Sequence, residues 1–155
     1  MMRILAFLPL LSIWACTSVG TNVGTSSPAE NLPGISQIAG LSAQELDAGG
    51  CGVFFWKATT PRTFVFFQKQ GQARASLYDQ DTEIVIETSQ DTSNLDIKIR
   101  LDLRYKGGGY ESITVKGNFG DELEGGRRIS GATITINKLD GWQEILPVNG
   151  VYVCR

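Results

Sequence analysis

Residues 95–105 read LDIKIRLDLRY, a strict alternation. Leu95, Ile97, Ile99, Leu101, Leu103 and Tyr105 fall on one face, and Asp96, Lys98, Arg100, Asp102 and Arg104 on the other. Period two with charge on the solvent side is the pattern of a half-buried antiparallel strand. The same rhythm recurs over 52–57, 63–69, 72–78, 83–88, 110–116, 130–138, 142–146 and 150–154. The intervening TTP, KQGQ, DQDT, KGGG, LDGW and PVNG carry turn chemistry. The expectation is a mainly β protein: a small antiparallel meander of about eight strands, closed as a barrel or folded as a sandwich. Closure would set the first and last strands side by side.

Upstream, LSAQELDAGG places Ser42 and Glu45 in the S-x-x-E capping pattern, with Gly49 or Gly50 positioned to end a turn. This predicts one short N-terminal helix over 41–48. Residues 17–40 are rich in Ser, Thr, Gly, Asn and Pro and read as a tether. As a flexible coil such a segment has an r.m.s. reach of about 27 Å. The expected organisation is a signal peptide at 1–15, a modified N-terminus and tether at 16–40, and a β domain at 41–155.

The chain has 155 residues, no histidine, and 14 basic against 16 acidic side chains. Removal of residues 1–15 takes away Arg3 alone and leaves 13 against 16, a formal charge of −3. An acidic balance without a basic cluster argues against nucleic acid as a partner. The missing histidine excludes Ser-His-Asp and Cys-His catalysis and histidine-ligated metals. The Asp121, Glu122, Glu124 run lacks the ligand spacing of a calcium loop. Neither KGGGYES nor DELEGGRRISG ends as a phosphate loop does, and both lead into strands. No catalytic set, cofactor motif or metal site is indicated, and the chain is expected not to be an enzyme.

Met1–Ala15 has the three parts of a secretory signal: Arg3 near the start, an apolar Ile4–Leu11, and a small Ala15 before the cut. The apolar stretch is short of the roughly 20 residues that span a bilayer. The following IWAC, residues 13–16, resembles the lipobox of bacterial lipoproteins through Ile13, Ala15 and Cys16. Trp14 departs from it, since that position is usually small. The resemblance implies lipidation of Cys16, cleavage before it, and attachment of the protein to a membrane by several acyl chains. Several chains hold where one would exchange. Thr17, where the family's inner-membrane signal has aspartate, implies the outer membrane, with the protein facing the periplasm. An ordinary signal peptide cut elsewhere is the competing reading.

Three cysteines in an exported chain leave one odd. If Cys16 carries lipid, Cys51 and Cys154 remain as a pair in an oxidising compartment, either bridged or as two free thiols. A bridge would join the first and last strands.

Five residues are candidate partner contacts: Trp56, Tyr110, Arg127, Arg128 and Trp142. CGVFFWKATTPRTFVFF crowds Phe54, Phe55, Trp56, Phe64, Phe66 and Phe67 into one hairpin whose two faces are both apolar. One face belongs to the core; the other is either covered by the 41–48 helix or exposed to a partner. Trp142 follows a tight turn, where indole beside Gln143 suits recognition or caps a barrel end. Arg127 and Arg128 sit in a glycine-rich loop, available to an acidic partner or simply solvated.

In plan the chain, with its early CGVFFW and closing DGWQEILPVNGVYVC, resembles small alphaproteobacterial lipoproteins of unassigned function. FVFFQKQGQARASLYD is also similar in style to the strand pairs of lipid-anchored c-type lysozyme inhibitors, although Gly108-Gly109-Tyr110 lacks the serine of their inhibitory loop. The expected function is a non-enzymatic interaction or assembly module of the envelope with a protein partner. The alternatives are lysozyme inhibition and carriage of a small apolar ligand.

Overall fold

A computed structural model describes residues 39–95 and 98–155. The signal peptide, Cys16 and nearly all of the tether lie outside the described residues. Within them the chain forms eight antiparallel strands: β1 (Cys51–Lys57), β2 (Phe64–Lys69), β3 (Arg74–Asp79), β4 (Thr82–Glu87), β5 (Arg100–Gly107), β6 (Tyr110–Leu123), β7 (Gly126–Lys138) and β8 (Gln143–Cys154). They close in sequence order into a barrel. β8 returns to β1 over seven register pairs, from Cys51↔Cys154 to Lys57↔Val148. The Cys51–Cys154 disulfide forms at the end of that seam.

Alternation fills the interior. Val53, Phe55, Leu77, Leu103, Ile113 and Ile134 are all fully buried in one continuous core. Phe55 lies directly opposite Gly150, where an added Cβ would come within 2.3 Å of the ring. Glycine there lets the ring lie over the backbone. The core also holds a polar pair: the Tyr105 hydroxyl donates to Gln68 Oε1 at 2.9 Å, and Gln68 Nε2 donates to the Lys69 and Gln72 carbonyls at 2.6 and 2.8 Å. Each group in this buried network has a partner, as burial requires. Burial holds the Tyr105 phenol far above its ordinary pKa.

Several sequence expectations need correction. The 41–48 segment is not helical, and the described residues contain no helix. It runs as a strap over the outer face of β1 and β2, where Leu41 and Leu46 pack with Phe67 against Phe54 and Phe64. The Leu41 amide donates to the Phe64 carbonyl, the Asp47 carbonyl accepts from Gly50, and Lys69 pairs with Asp47. A helix of about two turns is too short to repay its nucleation, and packing of Leu41 and Leu46 on the aromatic hairpin decides the conformation instead. The cover over the aromatic hairpin is real, but its conformation is different.

The strand expected from Leu95 begins at Arg100. Leu95 instead turns into the core and is fully buried, while Ile99 is exposed. β4 meets β5 no farther than Glu87↔Lys106, so β5 from Arg100 to Tyr105 is laddered to β6 alone, and that ladder starts at Arg100↔Asn118. β4 and β5 share two register pairs, Ile86↔Gly107 and Glu87↔Lys106. The Gln90 side chain stands in for the absent ladder, donating to the Asp102 carbonyl at 3.2 Å and accepting from the Arg104 amide.

The glycine-rich 121–131 segment is not a loop. β6 and β7 pair up to Leu123↔Gly126 around a tight tip at Glu124 and Gly125. Arg127 and Arg128 are therefore strand residues. The two C-terminal strands expected at 142–146 and 150–154 are one, continuous through Pro147, whose carbonyl accepts from the Ala58 amide at 3.0 Å.

Candidate functional site

The outer face where β1, β8 and β7 lie side by side carries a groove of about 770 Å³. Register builds it. Trp56 stands opposite Asn149, and Val151 is paired with Phe54 on one side and Arg128 on the other. Between β7 and β8 the pairing steps from Ile129↔Gly150 to Ala132↔Val148, so Ser130 and Gly131 together face Asn149. This is a β-bulge, and Gly131 adopts the left-handed φ of +56° that the extra residue demands. The bulge interrupts the ladder beneath the groove and leaves Ser130 and Asn149 exposed at its floor. Arg62 reaches it from the β1–β2 turn.

Trp56 is a fixed wall. Its ring stacks on Phe64 with centroids 5.2 Å apart and planes 29° apart, and lies nearly parallel to Phe54 at 6.3 Å. The strap holds Phe54 and Phe64 in place. The indole is thus held by the same aromatic cluster that the strap covers, at the edge where that cover ends.

The groove lining includes three cationic residues, Lys57, Arg62 and Arg128, and no carboxylate. The salt bridges among the described residues join Lys69 to Asp47, Arg74 to Glu87, Lys116 to Asp102 and Lys138 to Glu144, all elsewhere. A second groove, about 1180 Å³, crosses the outer faces of β5 and β6. It is larger but self-satisfied. Asp102 lies 3.9 Å from Lys116, and Asn137 donates to Ser112 at 2.8 Å. Its Glu87 and Asp102 offset the cations Arg104, Lys106 and Lys116.

Of the five residues singled out by sequence, the structure brings Trp56 and Arg128 together. Arg127 faces the opposite way, with its guanidinium 5.1 Å above the Phe119 ring and a contact of 3.5 Å to the Lys98 carbonyl. Tyr110 sits at the β5–β6 turn, partly buried, and its hydroxyl donates to Asp79. Burial, with the Asp79 and Glu144 carboxylates beside it, pushes its pKa up to about 12. Trp142 is 74% exposed on the β7–β8 turn, next to an equally exposed Leu139, and does not line the groove. Sequence reasoning missed Arg62, Ser130 and Asn149. Only Ser130-Gly131 left a trace, a glycine inside a strand pattern that marks a bulge.

Among the described residues no group of three or more cysteine, aspartate and glutamate side chains comes together to hold a metal ion. No family model matches the sequence, and neither a curated protein nor a solved structure matches it significantly.

Proposed function

We propose that this protein is a lipid-anchored component of a bacterial envelope, held through Cys16 at the outer membrane facing the periplasm, and that it acts by binding and not by catalysis. The observation that supports binding at the outer surface is the filled barrel. Phe55, Phe66, Leu77, Tyr105 and their neighbours occupy the interior without exposure, which weighs against an apolar ligand carried inside. The groove beside Trp56 is the surface best suited to a partner: it is concave, it has a rigid aromatic wall, and its cations are free of salt bridges among the described residues. The anchor rests on the IWAC motif and on the tether that follows it. The disulfide is the kind of bond an oxidising compartment maintains.

The test is mild crosslinking in the native envelope, followed by isolation of the full-length protein and mass spectrometry. The expected result is an intact mass carrying acyl chains on Cys16 and one reproducible partner crosslinked near Trp56 or Arg128. An unmodified protein recovered from the soluble fraction would overturn the location. Crosslinks distributed without preference over the barrel would overturn the groove as its working surface.

A further inference from the structure

We infer that the β1–β8–β7 groove binds a carboxylate-bearing saccharide, with a sugar ring against the Trp56 indole and the acid group between Arg62 and Arg128. The inference deepens the surface-binding reading above and rests on it. Four features converge. The indole is fixed from behind by Phe64 and Phe54, so its remaining surface is a flat apolar platform that need not be ordered on binding. A pyranose presents such a platform with a face of C–H groups. The two arginines approach from different elements, Arg62 from the β1–β2 turn and Arg128 from β7, and both are solvent-exposed. Guanidinium forks match a carboxylate in geometry and charge. With no acidic residue in the lining, the positive potential is not cancelled locally, even though the whole chain is acidic.

The third feature is the bulge. It sets Ser130 and Asn149 in the row that runs across the strands from Trp56, one row along from Arg128, where a hydroxyl and an amide offer both donors and acceptors. Hydroxyl-rich ligands need that mixture. A peptide strand added to a sheet edge would instead need an open ladder, but β1, β7 and β8 are each paired on both sides. The fourth is size: about 770 Å³ falls inside the range of roughly 300–1,000 Å³ typical of small-ligand clefts.

Titration calorimetry on the full-length protein in detergent tests this, with trigalacturonate as probe and its fully methyl-esterified form as the uncharged control. The expected result is saturable binding of trigalacturonate that weakens as salt is raised, and at least tenfold weaker binding of the ester. Arg62→Gln and Arg128→Gln, both exposed, should each weaken trigalacturonate tenfold or more, with an unchanged thermal midpoint. Trp56→Phe keeps a ring in the aromatic cluster and should weaken acid and ester alike. Equal affinity for acid and ester, binding indifferent to both arginine changes, or no saturable binding would overturn the inference. Tighter binding of a poly-aspartate peptide at the same arginines would also overturn it, in favour of an acidic protein segment. Failure here, with a crosslinked partner still found at the groove, would leave the binding-module reading intact. Saccharide binding by a protein that proves unacylated would overturn its location alone.

Discussion

The barrel is closed by two unlike seams. Between β1 and β8 seven residue pairs are in register, and the disulfide fastens one end. Between β4 and β5 there are two pairs, and the gap beyond them is occupied by side chains: Leu95 plugs the core, and Gln90 takes up a carbonyl and an amide of β5. The difference lies in what supplies cohesion. One side depends on backbone ladder and a covalent bond, the other on burial and a borrowed amide. Each seam has its groove, and the one with unneutralised cations and a fixed aromatic wall lies along the stiff seam. A binding surface on paired strands keeps its geometry without paying to order it.

The largest effect should come from breaking the stiff seam. The Cys51→Ala/Cys154→Ala double variant opens a loop with a sequence separation of 103 residues, and the chain-entropy model puts the loss at about 4.7 kcal/mol. Urea unfolding of the variant and of the oxidised parent measures it. A loss near zero would mean that the ladder alone closes this side, and the contrast would shrink.

Next, Leu95→Ala removes a fully buried side chain from the plug. A cost of about 2–5 kcal/mol is expected for a buried leucine. Hydrogen exchange distinguishes the seams, because protection should fall first in β4 and β5 while β1 and β8 keep theirs. Uniform loss of protection would show that the two seams open together.

Gln90→Ala should cost less, about 1–2 kcal/mol, because the Asp102 carbonyl and the Arg104 amide lose their partner but lie at an exposed edge where water can reach them. Faster exchange at the Arg104 amide is the specific readout. An unchanged rate would remove Gln90 from the seam.

The smallest effect concerns the strap on the stiff side. The Lys69 ammonium, hydrogen-bonded to the Asp47 carboxylate, holds the Asp47 pKa below the ordinary aspartate value. A depressed folded-state pKa adds stability that is present above the unfolded value and is lost as pH falls through the folded one. Asp47→Asn should therefore leave a slight deficit at neutral pH that vanishes in acid, and NMR titration of the parent should place the Asp47 carboxyl below its unfolded reference. A carboxyl titrating at that reference would show the pair to be inconsequential, as many exposed pairs are.

The comparison also explains what the sequence made legible. Alternation in β3, β5 and β7 announces which residues face inward, because a one-residue slip would turn the apolar set outward, whereas β1 is apolar on both faces and does not. The first and last strands could be expected to meet once closure was assumed. What pattern cannot show is where a ladder stops. Leu95 and Ile99 share a period with Leu101 and Leu103, yet one is a plug and one is exposed, since both precede Arg100↔Asn118, where the ladder to β6 begins. Ser42 and Glu45 carried a local helix signal that Leu41 and Leu46 overrode by packing against the aromatic hairpin. At the groove, Trp56 and Arg128 stood out by residue type. Arg62 and Asn149 did not, because only the β8 register and the β1–β2 turn bring them near.

The strap has a mechanical consequence. The chain enters the domain beside Phe64, runs the length of the β1–β2 face, and reaches Cys51 at the far end, where the disulfide joins it to the penultimate residue. Tension between the amino-terminal side and Arg155 would pass along the strap and through the sulfur bridge, bypassing every strand between them. Leu41 and Leu46 would peel away first, lengthening the connection while the barrel stayed whole. A load applied at the groove would instead enter through β1, β7 and β8, against their paired ladders.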